Sequence, residues 1–497
     1  VFSVTHLVNI PTPLRRCDNF IAGEFRAPQS SEYLPVLSPY TGKGIGEVAL
    51  SNASDIEAVV AAAHAAFPAW RATPSKERAQ KLFAFREILL KRLDEFAHRA
   101  AAEAGKTVAE GRAEIQKGIE VVEFALSLQN LDSGGSMEVS RGVTCQYRRE
   151  PLGVVAGIAP FNFPGMVPMW MFPIAIALGN CFVLKPSEKV PLTASFLAEA
   201  MREAGFPPGV FSLANGSRAA VEALIDNPHV KAVGFVGSTP VARAVYTRAT
   251  SLGKRALCLG GAKNHIILVP DADEGVTVRG VVDSFTGCAG QRCMAASLLL
   301  AVGDVEHLIE KIVARARALT PGDCLGAIID GAAKQRISAI IGEAAAQGAA
   351  LRLDGRLSPA PKGYESGHWL GPTVIDNAKE GMSCVETEIF GPVLTIMRCN
   401  SLAEALAKEA RSPYGNATSV FTTSGAVAHH IASAATSGMV GINIGVPVPR
   451  EPFSFGGTKD SKFGQGDITG AGALDFWSNQ KKITTKWNEQ KDATWMS

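Results

Sequence analysis

The sequence predicts a doubly wound α/β protein of two large domains, and three observations carry that expectation. At 497 residues the chain is too long for one simple core. Strand-like and helix-like runs alternate from about residue 152 to about residue 465, as in parallel sheets with helices on both faces. Pro151 to Leu184 contains no charged residue, as expected of strands buried on both sides. On length alone that stretch would suit a membrane span. Pro160, Pro164, Pro168 and Pro173 would interrupt such a helix repeatedly, so a buried strand–helix–strand unit is the better reading.

Residues 18–50, with glycines at 23, 42, 44 and 46, suggest short strands and turns. Ser54-Asp55-Ile56-Glu57 reads as a capping box before an Ala-rich helix over about residues 55–67. One long amphipathic helix is expected after Pro74. Thr107-Val108-Ala109-Glu110 is a second capping box, opening a helix to about residue 128, and Asp132-Ser133-Gly134-Gly135 ends it. Residues 136–149 alternate around Gly142 and predict a projecting hairpin arm. Next come a strand (152–158), a buried helix (166–178) and a strand (181–184). Val230–Val236 is a strand, residues 240–250 a helix, and Ala256–Leu259 and His265–Val269 short strands. Lys481 to Trp487 alternates like an edge strand. The domain division expected is 1–132 with 152–261, then 262–466, with 133–151 and 467–497 reserved for oligomer contacts.

The composition is that of an ordinary globular chain, 46% hydrophobic and 19% charged. A formal charge of +2 gives no reason to expect nucleic acid or an anionic membrane as partner. Nine scattered cysteines argue against a disulfide framework, and no Cys/His spacing suggests a metal site. A reducing compartment is expected: the cytoplasm, or the mitochondrial matrix for a eukaryotic chain relieved of a transit peptide. Val1 to Pro13 lacks the pattern of a signal peptide.

Five short motifs could carry chemistry. In Gly290-Gln291-Arg292-Cys293-Met294 an arginine adjoins a cysteine, and a cation lowers a thiol pKa toward the nucleophilic thiolate. Cys288 has no such neighbour and reads as structural. In Ala159-Pro160-Phe161-Asn162-Phe163-Pro164, Asn162 is either a turn residue or an amide donor aimed at a developing oxyanion, worth about 3–4 kcal/mol in the transition state. Lys185-Pro186-Ser187-Glu188 follows a strand, where α/β sheets bind ligands, although an exposed loop pair would look the same. Phe235-Val236-Gly237-Ser238-Thr239-Pro240 joins a strand to a helix whose start could take a phosphate, with Ser238 as N-cap. Glu388-Ile389-Phe390-Gly391-Pro392 gains meaning only beside the others. There is no GxGxxG fingerprint.

Taken in order with Phe455-Gly456-Gly457, these motifs resemble the aldehyde dehydrogenase superfamily over nearly the whole chain. The CoA-acylating (methyl)malonate-semialdehyde dehydrogenases are the nearest group. The signs are Trp170-Met171-Phe172-Pro173, Gly261-Ala262-Lys263-Asn264-His265 and Val446-Pro447-Val448-Pro449. The resemblance implies an aldehyde dehydrogenase-like fold: two doubly wound α/β domains plus a β-arm, in a homodimer or homotetramer. It makes Cys293 the nucleophile and Asn162 its oxyanion donor. It gives Lys185, Glu188, Lys189, Ser238, Gly260, Ala159, Phe161 and Glu388 to NAD. Lys189 stands where the group often has Arg.

The resemblance also implies a departure from hydrolysis. Hydrolytic members carry a glutamate, as base for water, where this chain has Leu259 or, with another gap, Cys258. Water has a pKa of about 15.7 and a thiol about 8.5, so a thiol needs no such base. CoA is therefore the expected acyl acceptor, and a hydrolytic enzyme with its base elsewhere is the alternative. A non-enzymatic reuse of the fold is a third reading, opposed by the intact Cys293, Asn162 and Glu388. Arg292 and Lys117 would clamp a substrate carboxylate, Lys117 replacing a bidentate Arg by a point charge. Trp170 and Phe455 complete the expected substrate residues. Malonate or methylmalonate semialdehyde would give acetyl-CoA or propionyl-CoA with loss of CO2.

Overall fold

A computed structural model describes residues 15–131 and 134–487. Its first large sheet has eight strands. In spatial order they are Lys462–Phe463, Arg255–Leu259, Val230–Val236, Val154–Ile158, Cys181–Lys185, Phe211–Leu213, Asn19–Ile21 and Glu24–Arg26. The five from Arg255–Leu259 to Phe211–Leu213 run parallel, and the outer pairings are antiparallel. Val154–Ile158 and Cys181–Lys185 are buried along their whole length, which is why they lack apolar/polar alternation.

Four helices precede the buried unit: α1 (Ala53–Ala72), α2 (Ser75–Lys91), α3 (Leu93–Ala104) and α4 (Val108–Leu131). Within and after it come α5 (Met166–Ala177), α6 (Pro191–Glu203), α7 (Arg218–Asp226) and α8 (Thr239–Ser251). Two sequence expectations change here. Helix α1 is capped by Asn52, not Ser54: the Asn52 side chain accepts from Asp55 N, and the Asp55 side chain accepts from Asn52 N. The box has the expected chemistry but sits two residues earlier. The single long helix after Pro74 is two helices, parted at Arg92, whose φ/ψ of −104°/18° leaves the helical region. The Thr107/Glu110 box forms as expected.

The second sheet has seven strands in the order Ala350–Leu353, Thr373–Asp376, Val393–Cys399, Ala296–Val302, Asn264–Leu268, Ala417–Phe421 and Met439–Ile442. All pair in parallel except the first two. Helices α9 (Glu274–Thr286), α10 (Glu306–Arg317) and α11 (Gly331–Ala346) belong to this half. Lys462–Phe463, late in the chain, returns to the edge of the first sheet, so the two halves share a strand crossing.

The hairpin Gly135–Ser140 and Val143–Pro151 forms, and Ser478–Lys486 adds to it as a third antiparallel strand. The arm holds Met137 at 69% and Val139 at 53% exposure. Asn180 ties the segment before this strand to the first sheet. Its Oδ1 accepts from Leu152 N and Gly153 N, and its Nδ2 donates to Ala175 O and Trp477 O. The expectations for Val1 to Pro13 and for Asp132-Ser133 fall outside the described residues. No helix of the described residues is long and apolar enough to cross a membrane.

Candidate active site

Two loops meet between the halves. One, Ala159–Gly165, leaves the C-terminal end of strand Val154–Ile158 and enters α5. The other, Gly287–Met294, leaves α9 and turns sharply, with Cys288 (φ 54°) and Ala289 (φ 52°) both left-handed. Such residues cost of order 1–3 kcal/mol each, so surrounding bonds must hold them. Gly290 follows at φ 70°, and a Cβ there would lie 2.0 Å from the Gly391 carbonyl oxygen. Only glycine lets the cysteine loop press so closely on the Glu388–Pro392 loop.

Cys293 is pinned through its carbonyl. Asn264 Nδ2 donates to it at 2.7 Å and Asn416 Nδ2 at 3.0 Å, while Asn264 Oδ1 accepts from Ala417 N. Gln291 is buried, donates Nε2 to Ala327 O and accepts Ile329 N. Asn162, also buried, donates Nδ2 to Gln291 O at 3.0 Å. A primary amide has two N–H bonds, and one of them anchors the cysteine loop. Cys293 keeps part of its surface open to the cleft.

The thiol does not follow the sequence expectation. Burial pushes Cys293 up to about 12, the Glu388 carboxylate adds to the rise, and Arg292 lowers it too little to compensate. The sign of the arginine's effect is as expected, but desolvation outweighs it. Arg292 itself rests on the C-terminal end of α9, donating Nη2 to Asp283 O and Ser284 O, while its Nε is buried without a partner among the described residues. Cys288 is buried and pushed up to about 11, as suits a structural thiol.

The cleft that reaches Cys293 has a volume of about 540 Å³. Cys293, Asn162 and all eight residues expected to hold the cofactor line it: Ala159, Phe161, Lys185, Glu188, Lys189, Ser238, Gly260 and Glu388. Lys185 ends its strand and donates to Glu188 at 3.0 Å. Burial opposes the Glu188 charge, but Lys185, a backbone N–H and Lys189 outweigh it and hold the carboxyl below its usual range. An ionised acceptor at the C-terminal end of a parallel strand suits ribose hydroxyls and repels a 2′-phosphate. Lys189 also meets Asp330 at 2.6 Å. Ser238 takes the N-cap position of α8, yet its side chain makes no capping bond, so the first turn faces the cleft free to receive an anion.

Glu388 closes the far end. Its Oε1 accepts from Ala262 N at 2.9 Å, and a Cβ at Gly261 would lie 2.4 Å from its Oε2. Burial raises its pKa to about 7 against the Ala262 N–H, Lys263 and Arg336. Lys263, buried behind it, donates to Cys384 O and Thr387 O and so steadies the turn that presents Glu388. Arg336 on α11 lines the cleft and donates to Ile389 O.

Among the expected substrate residues, Trp170 and Phe455 are buried together, 4.6 Å between ring centroids, outside this cleft. Lys117 on α4 does not stand free. Glu451 at 2.8 Å and Glu120 at 3.0 Å hold its ammonium, so a substrate carboxylate would have to compete with Glu451. Leu259 and Cys258 are both buried on strand Arg255–Leu259 and supply no carboxylate.

Sequence reasoning missed the roles of Gln291, Asn416, Lys263 and Arg336. Only the polar residues buried inside apolar runs, Asn416 before Ala417–Phe421 and Lys263 before Asn264–Leu268, left a readable signal.

A profile of the aldehyde dehydrogenase family matches residues 25–483. The chain belongs to the aldehyde dehydrogenase family. Among relatives of this aldehyde dehydrogenase is malonate-semialdehyde dehydrogenase 1 of Geobacillus thermodenitrificans, 40% identical over 96% of this chain and all of that protein. Another is the acylating mitochondrial methylmalonate-semialdehyde dehydrogenase of Arabidopsis thaliana, 41% identical over 95% of this chain and 79% of that protein. The NAD complex of a protein described as a methylmalonate-semialdehyde dehydrogenase, from Sinorhizobium meliloti, superposes with a TM-score of 0.94 at 40% identity, covering 97% of this chain and 100% of that one.

Proposed function

We propose that this aldehyde dehydrogenase is NAD-dependent and CoA-acylating. It oxidises a short semialdehyde bearing a carboxylate, malonate or methylmalonate semialdehyde, to acetyl-CoA or propionyl-CoA with loss of CO2. The observation that carries the reading is a cleft reaching Cys293 while Leu259 and Cys258, either of which would align with the hydrolytic base, are both buried and carry no carboxylate. Relatives at about 40% identity named for these semialdehydes support it.

Cys293, once deprotonated, attacks the aldehyde carbon. The second Asn162 N–H and the Cys293 backbone N–H receive the oxyanion. Bound NAD supplies the hydride acceptor and a positively charged ring in the cleft. Lys185, Glu188, Lys189 and Ser238 hold its adenosine and diphosphate half, with Ala159, Phe161 and Gly260 as walls and Glu388 at the second ribose. Oxidation leaves a thioester on Cys293, whose β-carboxylate leaves as CO2 while a proton takes its place on the α-carbon. The thiolate of CoA then displaces Cys293, taking the acyl group and restoring the sulfur. Arg292, whose guanidinium donates to Asp283 O and Ser284 O, would have to turn from the end of α9 to meet the substrate carboxylate, and Lys117 would engage it only if Glu451 yields. Trp170 and Phe455 back the pocket rather than line it.

The test is NADH formation from malonate semialdehyde with and without CoA, with product identification. Acetyl-CoA formed only with CoA is expected. Malonate formed at an undiminished rate without CoA would overturn the reading. One observation favours that hydrolytic alternative. Glu388, with a pKa near 7, is a carboxyl in the same cleft able to accept a proton from water.

Residues 1–132 and 152–261 would form the cofactor domain, 262–466 the catalytic domain, and 133–151 with 467–497 the oligomer contacts. The exposed arm supports a homodimer or homotetramer, since open strand edges seek partners. Nine free cysteines suit the cytoplasm or the mitochondrial matrix.

A further inference from the structure

We infer that Lys106, Glu110 and Glu114 are positioning residues that set the gap between the Asn162 loop and the Cys293 loop. The inference rests on the proposed function, because it assigns a purpose to the oxyanion site of that reaction.

Glu110 and Glu114 are one helical turn apart on α4, with Lys106 just ahead of the helix, so the three share one face. Each glutamate grips a different half of the site. Glu110 Oε1 accepts from Cys288 N at 2.6 Å, the first left-handed residue of the turn that leads to Cys293. Its other oxygen caps α4 through Thr107 N at 2.9 Å. Glu114 Oε1 accepts from Gly165 N at 2.7 Å and Met166 N at 3.1 Å, directly after Asn162-Phe163-Pro164. Its Oε2 accepts from Lys106 Nζ at 2.6 Å, in a pair wholly buried. The Lys106 ammonium also lies 3.6 Å from the centre of the Phe163 ring, one residue after Asn162.

The two halves then close on each other. Asn162 Nδ2 reaches Gln291 O at 3.0 Å. Gln291 Nε2 reaches Ala327 O, and Ala327 N reaches Gly105 O at 2.7 Å, next to Lys106. The result is a ring of bonds from α4 to the cysteine loop, across to the asparagine loop and back to α4. Apolar packing would have been an easier way to fill this space, since a buried ion pair is weak evidence for stability. What charged acceptors add is direction. They aim short bonds at backbone N–H groups beside both oxyanion donors. A donor must lie within about 3 Å of the oxyanion, and a misplacement of 1 Å can cost about a hundredfold in rate.

Glu110→Gln keeps the shape but can accept at only one of the two sites with its single oxygen. The expected result is a loss of roughly ten- to a hundredfold in the single-turnover NADH burst. CoA transfer should slow by a similar factor, since both steps pass through an oxyanion in the same hole. KM for the aldehyde and the NAD dissociation constant should hold. Alkylation of Cys293 by iodoacetamide forms no oxyanion, so its rate should be unchanged. An unchanged burst overturns the inference. So does a burst and an alkylation rate that fall by the same factor, which would mark a general loss of structure. Should Glu110→Gln fail to fold, Glu110→Asp, shorter by one methylene, takes the same measurements with the same outcomes. A wild-type chain that gives no burst with malonate semialdehyde overturns the proposed function and takes this inference with it.

Discussion

Three side chains around the sulfur pull against one another. Cys293 needs to lose a proton, burial and Glu388 resist that, and Arg292 helps only slightly. Glu388→Gln should therefore shift the pH profile of Cys293 alkylation downward. An unshifted profile would show that the carboxylate does not act on the sulfur. Cys293→Ser should abolish the NADH burst, and a retained burst would remove Cys293 as nucleophile. The Glu388 pKa near 7 also sets a pH dependence. Ribose hydroxyls bind best to the ionised form, so NAD affinity should weaken as pH falls from 8 to 6. Removing one charge-assisted bond, worth about 1.5–3 kcal/mol, should flatten that dependence in Glu388→Gln, as titration calorimetry would reveal. For the fold the sign is opposite. A carboxyl raised by burial contributes stability that is present below its unfolded value of about 4.5 and lost as pH rises through about 7. Glu103, buried against Leu192 N and Thr193 N and also raised to about 7, behaves likewise. At neutral pH these ionised carboxylates weigh against the fold.

Among elements, the readable ones were those whose local chemistry decides their form. The Thr107/Glu110 box, the uncharged βαβ unit and the hairpin arm all follow from neighbours in sequence. The long helix after Pro74 did not break in the reading because nothing in Leu90-Lys91-Arg92-Leu93 forbids a helix. Its break at Arg92 is a tertiary matter. The site divides the same way. The residues expected to hold the cofactor all line one cleft, and each was legible as a candidate because it lies in a short contiguous motif at or near a strand end. The second oxygen of Glu110 was not, because its partner Cys288 lies 178 residues away. Nor was the Glu451 that holds Lys117, 334 residues distant. Asn180 is the element-scale residue most exposed to test, with four bonds on three segments. Asn180→Ala leaves buried groups unpaired at about 1–3 kcal/mol each, so a loss of roughly 3 kcal/mol or more is expected in chemical denaturation. A loss under about 0.5 kcal/mol would mean that water or repacking replaces the bonds.

At the scale of the whole molecule, the exposed apolar face of the arm is the feature that asks for a partner. Met137→Asp together with Val139→Asp should shift the particle toward the monomer in sedimentation velocity while leaving the cleft intact. An unchanged sedimentation coefficient would place the contact elsewhere. The arm has one more consequence, in the order of events as the chain is made. Its hairpin leaves the ribosome early, but the strand Ser478–Lys486 that flanks it emerges some 330 residues later, as the Arg149 to Ser478 contact shows. Contacts so distant in sequence form slowly. Throughout elongation the hairpin presents an open edge, and any pairing of nascent copies through it would occur before the finished strand is there to compete. The third strand of the arm thus joins late, after some 330 residues more have been made.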